Sequence, residues 1–232
     1  MELKLKYRLL LLLILMTGLP LRAQVGELRN NFSIGINAGV NYNEVTLNTP
    51  PSDPQIKQNG LLGYAGGITV RYISEKYFAM ICGAQIELNY TQRGWKELIE
   101  NNEDTYSRTM NYLEVPFLAH LAFGKDRGMQ FFLNLGPQVA FLLSESENKS
   151  NPFNPEGRTS EQYGKMAENK FDYGIVGGAG LELKTKAGNF LLEGRYYFAL
   201  SDIYKSTKKD YFSRSAHSII LGRITYLFDL TR

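Results

Sequence analysis

The stretch 129-MQFFLNLGPQVAFLL-143 alternates between two kinds of side chain over its whole length. Every second residue from Phe131 onward is apolar, and the positions between them carry Gln130, Asn134 and Gln138. Strict alternation with a period of two predicts a β-strand with one apolar face. Whether that face meets a protein core or a lipid bilayer depends on the other segments of the chain and on their connections.

Seven further segments show the same alternation, so we predict an all-β protein with eight strands. One face of each segment is apolar, and the other carries glycine, asparagine, glutamine, serine and alanine with an occasional charge. At roughly 11 to 15 residues each, the segments exceed the five or six residues usual in soluble sheets. The predicted strands span residues 32–43, 62–74, 78–91, 109–123, 129–143, 171–184, 190–200 and 217–229.

The predicted connections alternate between short and long along the chain. The short turns lie near residues 75–76, 125–128 and 186–189, and the long polar loops cover residues 44–60, 94–108, 144–168 and 202–213. An antiparallel meander with long loops at one end and short turns at the other is typical of outer-membrane barrels.

The composition of the two faces indicates which one lies outside. A soluble barrel turns its apolar face inward and covers its outer face with charged side chains. Here the side chains opposite the apolar face are small and mostly uncharged. Eight strands enclose an interior just wide enough to be filled by such side chains. We therefore predict an eight-stranded antiparallel up-and-down transmembrane β-barrel of the size of OmpA and OmpX, with Ile36, Leu133 and Ile224 facing lipid and Asn37 and Gln138 facing inward. A secreted lipocalin-like barrel and a β-sandwich are the alternatives, because their strands also alternate.

The first 23 residues have the layout of a secretory signal peptide. Three basic residues precede the apolar run 9–15, and Gly18, Pro20 and Ala23 follow it. The run is shorter than the roughly 20 residues that a spanning helix needs. We predict a signal peptide over residues 1–23 and a single barrel domain over residues 24–232. An uncleaved membrane anchor is the alternative.

Charge and cysteine content exclude several classes of function. The chain has 232 residues with 26 basic and 23 acidic side chains, and the leader holds four of the former and one of the latter, which leaves 22 of each. A neutral mature chain gives no basis for nucleic-acid binding. Cys82 is the only cysteine, so an internal disulfide and a cysteine-rich metal site are excluded. It falls on the apolar face, where we expect an inert thiol.

The stretches YLEVPFLAHLAF, LNLGPQVAFLL, FDYGIVGGAGLEL and EGRYYFALSDIY resemble the PorT-like outer-membrane β-barrel proteins, and the resemblance covers nearly all of the mature chain. It implies a leader, one barrel, no attached domain and a place among porin-family proteins of the cell envelope. PorT itself is tied to a protein-secretion apparatus, whereas many relatives have no assigned role. The chain departs from the usual ending in an aromatic residue, because Asp229 to Arg232 follow Phe228. We expect the outer-membrane insertion machinery to bind through Tyr226 and Phe228.

Two sets of residues on the predicted strands are candidates for a specific role. The inward face carries nine charged residues, and we predict that they neutralise one another as a structural plug, with a proton or ion path as the alternative. Glu193, Arg195 and Arg223 lie on neighbouring strands and are predicted to share one network. Six members form the predicted lumen ion-pair network: Arg71, Glu87, Glu114, Glu193, Arg195 and Arg223; Asp172, Glu182 and Lys184 are the other inward charges. The predicted membrane-interface aromatics are Tyr42, Tyr72, Tyr90, Tyr226 and Phe228.

We predict no enzymatic activity, no cofactor and no metal site. His217 and Ser218 are sequence neighbours, so in a strand they point to opposite faces and do not form a base and nucleophile pair. His120 and His217 lie near opposite ends of the barrel, roughly 20 Å apart by strand rise, which is too far for a shared metal ion. We expect Trp95, the only tryptophan, and Tyr106 to anchor the second long loop at the outer membrane boundary.

The sequence thus predicts a monomeric outer-membrane protein of a diderm bacterium, with both termini in the periplasm and membrane lipid as its surroundings. Its expected role is structural or binding, or accessory to an envelope assembly such as one for protein secretion. A narrow porin-like channel is the second interpretation, and a secreted soluble ligand-binding barrel is the third. No nucleic-acid partner is expected.

Overall fold

The protein is a closed ring of eight antiparallel strands in consecutive order, as seen in a computed structural model. The structure describes residues 27–51, 53, 56–97, 104–125, 127–153, 161–207 and 210–231. The signal peptide predicted over residues 1–23 lies outside these residues. The strands are β1 (Glu27–Asn48), β2 (Gln58–Tyr77), β3 (Met80–Glu97), β4 (Tyr106–Gly124), β5 (Gly128–Lys149), β6 (Phe171–Lys184), β7 (Asn189–Ala199) and β8 (Arg214–Asp229).

The ring closes where β1 pairs with β8, from Ser33 opposite Asp229 to Asn48 opposite Arg214. Closure leaves no unpaired edge within the membrane, which a sheet surrounded by lipid requires. The predicted all-β, eight-stranded, up-and-down fold is confirmed. Within the described residues, no helix is long and apolar enough to cross a membrane.

The apolar face of every strand points outward. Ile36, Leu133 and Ile224 are 66%, 40% and 62% exposed, whereas Asn37 and Gln138 are buried inside the ring. A soluble barrel would show the reverse, because its apolar side chains would form the core. The outward face is therefore suited to hydrocarbon, and the interior is polar.

Several strands extend beyond the predicted ends on the side of the long loops. β1 continues to Asn48, β3 to Glu97 and β5 to Lys149, and each was expected to be loop there. A tilted membrane strand needs about 9 to 11 residues, and β5 has 22. The outward face changes from apolar to polar along these strands, for example from Tyr42 to Glu44. The upper parts of the strands accordingly stand outside the membrane as a polar-faced wall.

The first short turn was placed too early in the sequence. β2 continues to Tyr77, so the turn is formed by Phe78 and Ala79 and not by residues 75–76. Phe78 has a φ of 53°, in the left-handed region that non-glycine residues rarely adopt. It is exposed and belongs to the turn, not to the apolar face of the third strand.

Two prolines lie on neighbouring strands, Pro116 on β4 and Pro137 on β5. The residue pairing of β3 with β4 is interrupted between Ile86 and Asn89, opposite Pro116, and that of β4 with β5 is interrupted next to Pro137. Proline has no N–H to donate to a sheet. At Gly136 a side chain would lie 1.9 Å from the carbonyl oxygen of Phe117, so only glycine fits this close approach of the two strands.

Candidate functional site: the filled lumen and the closed loop end

The lumen is closed at its turn end by an apolar layer. Its members are buried side chains from six strands that contact one another: Ile73, Ile81, Ala122, Phe132, Leu191 and Leu227. Directly above this layer, Arg71 of β2 makes a two-pronged ion pair with Glu182 of β6 across the lumen, at 2.7 and 2.8 Å. His120 lies beside this pair and hydrogen-bonds with Asn134 at 2.8 Å.

Four charged side chains form a closed cluster at the middle of the barrel, which we call the central cluster: Glu87, Glu193, Arg195 and Arg223. The guanidinium groups of Arg195 and Arg223 each donate twice to Glu87, at distances from 2.6 to 3.0 Å. Each guanidinium also donates to Glu193 at 2.8 Å. All four side chains are buried, and their formal charges cancel.

A third charged group lies nearer the loop end and is centred on Arg93 of β3. Its guanidinium contacts Glu114 at 2.6 Å and Asp172 at 2.5 Å. The same guanidinium lies over the rings of Tyr112 and Tyr197, with centroid distances of 4.5 and 4.8 Å. Tyr197 donates to Asp172 at 2.8 Å, so the cation, two acids and two rings form one connected unit.

Between the central cluster and the Arg93 group there is one small cavity of about 20 Å³. Asn41, Asn89 and Thr91 lie on its wall together with Glu114 and Arg195. A volume near 10 to 15 Å³ is the minimum for one water molecule. The volume of this cavity therefore suits one water molecule.

The loop end is closed by a second apolar core, which we call the upper core. Trp95 of β3 and Tyr106 and Met110 of β4 pack there against Tyr204 and Phe212 of the segment that joins β7 to β8. Trp95 is 0% and Tyr106 is 1% exposed. The expectation that Trp95 and Tyr106 anchor a loop at the membrane boundary is wrong, because β3 and β4 continue past the predicted ends and keep both side chains inside the ring.

An ion-paired group rims the upper core. Arg108 contacts Glu147 closely and lies 3.4 Å from Glu145. Glu147 also accepts from the hydroxyl of Tyr106 at 2.7 Å and from the backbone N–H of Gly164 at 2.9 Å. Burial raises the pKa of this carboxyl, but the hydrogen bonds from Tyr106, Lys149 and Gly164 and the charge of Arg108 outweigh it and lower the pKa to about 2. Glu147 is thus a fixed anion that ties residues 161–167 to the wall.

An irregularity in β5 explains why these acids point inward. Asn111 pairs with Ser144, but Tyr112 pairs with Leu142, so Leu143 is an extra residue in the ladder. An extra residue of this kind shifts the alternation by one position. Glu145 and Glu147 therefore face the interior, whereas continued alternation would place them outside.

Lys149 ends β5 among three aromatic rings. Its ammonium lies 5.6 to 5.9 Å from the ring centroids of Tyr106, Phe153 and Tyr163. The rings also contact each other, with centroids 4.8 Å apart for Tyr106 and Tyr163 and 5.0 Å apart for Phe153 and Tyr163. Cations within about 6 Å of a ring face are attracted to it. This contact fastens the start of the third long loop to the wall.

The structure divides the six residues of the predicted lumen network into three groups. Glu87, Glu193, Arg195 and Arg223 contact one another in the central cluster, Arg71 pairs with Glu182, and Glu114 pairs with Arg93. Arg93 was missed because the third strand was ended at residue 91, and Arg108 because the fourth strand was begun at residue 109. The signal was present, since Asn89, Thr91, Arg93 and Trp95 continue the inward positions of β3.

The five predicted interface aromatics all lie on the outward face. Tyr72 donates to Asn30 at 2.6 Å, and Tyr226 donates to the carbonyl oxygen of Ala187 at 2.6 Å, so both hydroxyls point to the turn end. Phe228 is exposed next to Tyr226 on the same strand. At the loop end, the hydroxyl of Tyr42 accepts from the N–H of Gly60 at 3.1 Å, and the ring of Tyr90 stacks on Tyr64.

The described residues hold no group of three or more metal-ligating side chains. The two histidines have separate surroundings, since His217 contacts Tyr112 at 3.3 Å whereas His120 contacts Asn134 and Arg71. Cys82 is a free thiol, half-buried on β3.

Comparison with known families connects this geometry to a class of proteins. Residues 22–205 match the family model of the outer membrane protein beta-barrel domain. The chain belongs to this family. This outer-membrane barrel domain is located in the outer membrane, so the interpretation as a secreted soluble barrel is wrong. The match includes β1 to β7, and β8 completes the ring beyond it.

Several solved structures are similar to this outer-membrane barrel domain. OprG of Pseudomonas aeruginosa is 10% identical with a TM-score of 0.49, covering 88% of this chain and 98% of OprG. The Neisserial surface protein A is 12% identical with a TM-score of 0.41, covering 85% and 97%. Ail, the attachment invasion locus protein of Yersinia pestis, is 12% identical with a TM-score of 0.37, covering 86% and 100%. No curated protein matches the chain in sequence.

Proposed function

We propose that this protein is a non-enzymatic, non-conducting outer-membrane barrel with a structural or binding role in the cell envelope. The observation that carries the proposal is the filling of the lumen along its length. The turn-end apolar layer, three charged groups and the upper core follow one another along the axis. We expect a barrel closed in this way to interact with other molecules through its loop end and its turn end.

The filled lumen argues against the narrow channel, which is the second interpretation. Each charged side chain of the central cluster is held by several short contacts, and breaking a buried ion pair costs about 3 to 5 kcal/mol. Ions would have to separate these groups in order to pass. The apolar layer at the turn end adds a second barrier, because it offers no polar partner to a hydrated ion.

Conductance across planar bilayers tests the proposal. Purified protein is expected to give no stepwise currents at neutral pH, while a general porin in the same membranes gives regular steps. Regular steps from the unaltered protein, at a frequency near that of the porin, would contradict the proposal.

The surroundings of the histidines support a role without catalysis. A nucleophilic mechanism needs a serine, threonine or cysteine within hydrogen-bond distance of a general base. In the described part of the chain, the ring nitrogens of His120 contact an asparagine and an arginine, and Nε2 of His217 contacts a tyrosine. Incubation of the detergent-solubilised protein with phospholipid and ester substrates is expected to give no turnover above that of a His217→Gln variant.

An accessory role in an envelope assembly, such as one for protein secretion, is the narrower form of this proposal. Its support is the resemblance of four sequence stretches to the PorT-like barrels. The insertion machinery, bound through Tyr226 and Phe228, and a monomeric state belong to the same proposal. Co-purification from envelopes after mild cross-linking tests it, because a partner in secretion should be recovered at a constant ratio to the barrel. Recovery of the insertion machinery alone would contradict the secretion role.

A further inference from the structure

The turn end of the barrel contains a polar bowl of about 350 Å³ that the filled lumen does not explain. We call it the periplasmic bowl, because the short turns of outer-membrane barrels face the periplasm. Pockets for small ligands usually have volumes of about 300 to 1,000 Å³. Its wall is formed by Asn31, Arg127, Lys184, Lys186, Asn189 and Asp229.

The bowl opens only to the periplasm. Leu191 and Leu227 of the turn-end apolar layer are the next inward residues after Asn189 and Asp229 on the same strands, so this layer forms the floor. Lipids touch the outward neighbours, such as Phe190, and do not reach the bowl through the wall. A ligand therefore enters along the barrel axis from the periplasmic solution.

The wall of the bowl is positively charged. Arg127, Lys184 and Lys186 supply three cations, and Asp229 is the one acid among its described wall residues. The carboxylate of Asp229 accepts hydrogen bonds from Ser33 at 2.7 Å and from Asn189 at 2.8 Å, so it is bound to the wall. Among the described wall residues of the bowl, three cations therefore stand against one acid.

The positive charge is a property of this end and not of the chain as a whole. The mature chain has equal numbers of acidic and basic side chains. Among the described residues at the turn end, bases outnumber acids by six to three: Arg29, Lys76, Lys125, Arg127, Lys184 and Lys186 against Glu27, Glu75 and Asp229.

The turn between β6 and β7 holds two of the cations in place. Thr185 donates from its N–H to the carbonyl oxygen of Gly188 at 3.0 Å and from its hydroxyl to the same oxygen at 2.7 Å. The hydroxyl in turn accepts from the N–H of Ala187 at 3.2 Å. These bonds fix the backbone on either side of Lys184 and Lys186. Fixed side-chain origins reduce the entropy cost of gathering two ammonium groups around one ligand.

We propose that the periplasmic bowl binds a multivalent anion that carries phosphate or carboxylate groups and comes from the periplasmic solution. Ammonium and guanidinium groups form strong charge-assisted hydrogen bonds with both kinds of anion. The amides of Asn31 and Asn189 add neutral polar groups beside the cations. Three cations on one concave wall favour a ligand with more than one negative charge over a single carboxylate.

Titration of the full-length mature barrel tests this proposal. The protein is placed in nanodiscs of zwitterionic phosphatidylcholine, and pyrophosphate and citrate are added as the two probes while the amide resonances of the turn residues are followed by NMR. Saturable shifts at Thr185 and Asn189 are expected with at least one probe. The absence of saturable shifts with both probes at millimolar concentration would overturn the proposal.

Two matched variants show whether the bowl is the binding site. The triple variant Arg127→Gln, Lys184→Gln, Lys186→Gln is expected to weaken binding at least about tenfold, which corresponds to 1.4 kcal/mol. The double variant Lys76→Gln, Lys125→Gln removes charge from the same end outside the bowl and is expected to change it less than about twofold. Equal losses in both variants would mean a diffuse charge effect and would overturn the site.

Two further measurements deal with a triple variant that does not fold and with the source of the anion. If the triple variant does not fold, the exposed single change Lys186→Gln is used, with an expected loss of about threefold for one charge-assisted contact. Nanodiscs containing phosphatidylglycerol distinguish the source of the anion. Turn shifts that appear with this lipid and not with the soluble probes would assign the charge to the membrane surface and contradict a solution ligand.

Discussion

Replacing Glu87 by glutamine is expected to destabilise the barrel strongly, although the two side chains have almost the same shape. Glu87 accepts four hydrogen bonds from Arg195 and Arg223, one from Gln85 at 2.6 Å and one from Asn89 at 2.8 Å. The substitution removes one of the two negative charges of the central cluster. Two buried guanidinium groups then share the single carboxylate of Glu193.

The expected loss follows from the burial of all partners. Removing one member of a buried ion pair typically costs about 3 to 5 kcal/mol, because the remaining charge has neither water nor a partner. Each carboxylate oxygen accepts three of the six hydrogen bonds, so three donors must also meet the NH₂ group of glutamine, which is a donor and not an acceptor. We therefore expect a decrease of about 3 to 5 kcal/mol in the free energy of unfolding.

Urea unfolding of the folded barrel in lipid vesicles measures this loss. With a slope of about 2 to 3 kcal/mol per molar urea, the midpoint should fall by roughly 1 to 2.5 M. Glu75→Gln, at the exposed turn end, is the control and should change the midpoint little. The double variant Glu87→Gln, Arg195→Gln restores neutrality and should lose less than the sum of its single changes. A folded Glu87→Gln variant whose midpoint matches that of Glu75→Gln would refute the reasoning.

Two further predictions concern the loop end. Trp95 is the only tryptophan, so the folded barrel should show blue-shifted emission with little acrylamide quenching. Trp95→Ala should lower the free energy of unfolding by about 3 to 5 kcal/mol, as for other large core residues. Strong acrylamide quenching of the folded protein would contradict the burial of Trp95. Glu147 has its pKa lowered from 4.5 to about 2, so its contribution to stability is present above pH 4.5 and is lost as the pH falls towards 2. In the unaltered protein the chemical shift of the Gly164 amide should titrate with a midpoint near pH 2, and in Glu147→Gln it should not titrate. A midpoint at pH 4.5 would show that the contact between Glu147 and Gly164 is absent.

The membrane-spanning part of the fold could be predicted because lipid and lumen impose different side chains. Alternation at Ile36 and Asn37 or at Leu133 and Asn134 is visible in the sequence, since one face is apolar and the other is not. Above the membrane this contrast is reversed, because the apolar Val45 and Leu47 point inward into the upper core. The outward residues Glu44, Thr46 and Asn48 are polar, so the upper half of β1 looks like a loop even though its pairing with β8 continues.

The partners of the buried charges could be predicted only between neighbouring strands. Glu193 and Arg223 are opposite each other in the pairing of β7 with β8, and the sequence places both on the inward faces of neighbouring strands. Arg71 and Glu182 lie on β2 and β6 and meet across the lumen. Their contact depends on the stagger at which the ring closes, which a single sequence does not specify.

The irregularity at Leu143 could not be predicted from the sequence for a related reason. An inserted residue leaves the local composition unchanged and alters only the face on which later residues lie. Glu145 and Glu147 therefore reach Arg108 by a shift of one position. The upper core was missed because it gathers residues from four strands and from the segments that follow β5 and β7, which are far apart in the sequence.

The buried charges also specify which face of each strand is turned outward. Sliding a strand by one residue along its neighbour would move its whole inward set to the lipid face. An arginine or lysine at the bilayer midplane costs about 2 to 4 kcal/mol, so a displaced β7 or β8 would expose Arg195 or Arg223 to hydrocarbon. A lumen filled with apolar side chains would leave the two faces alike and the register poorly defined. The ion pairs thus contribute less through their own net energy, which is small for buried pairs, than by excluding the inverted arrangement during insertion.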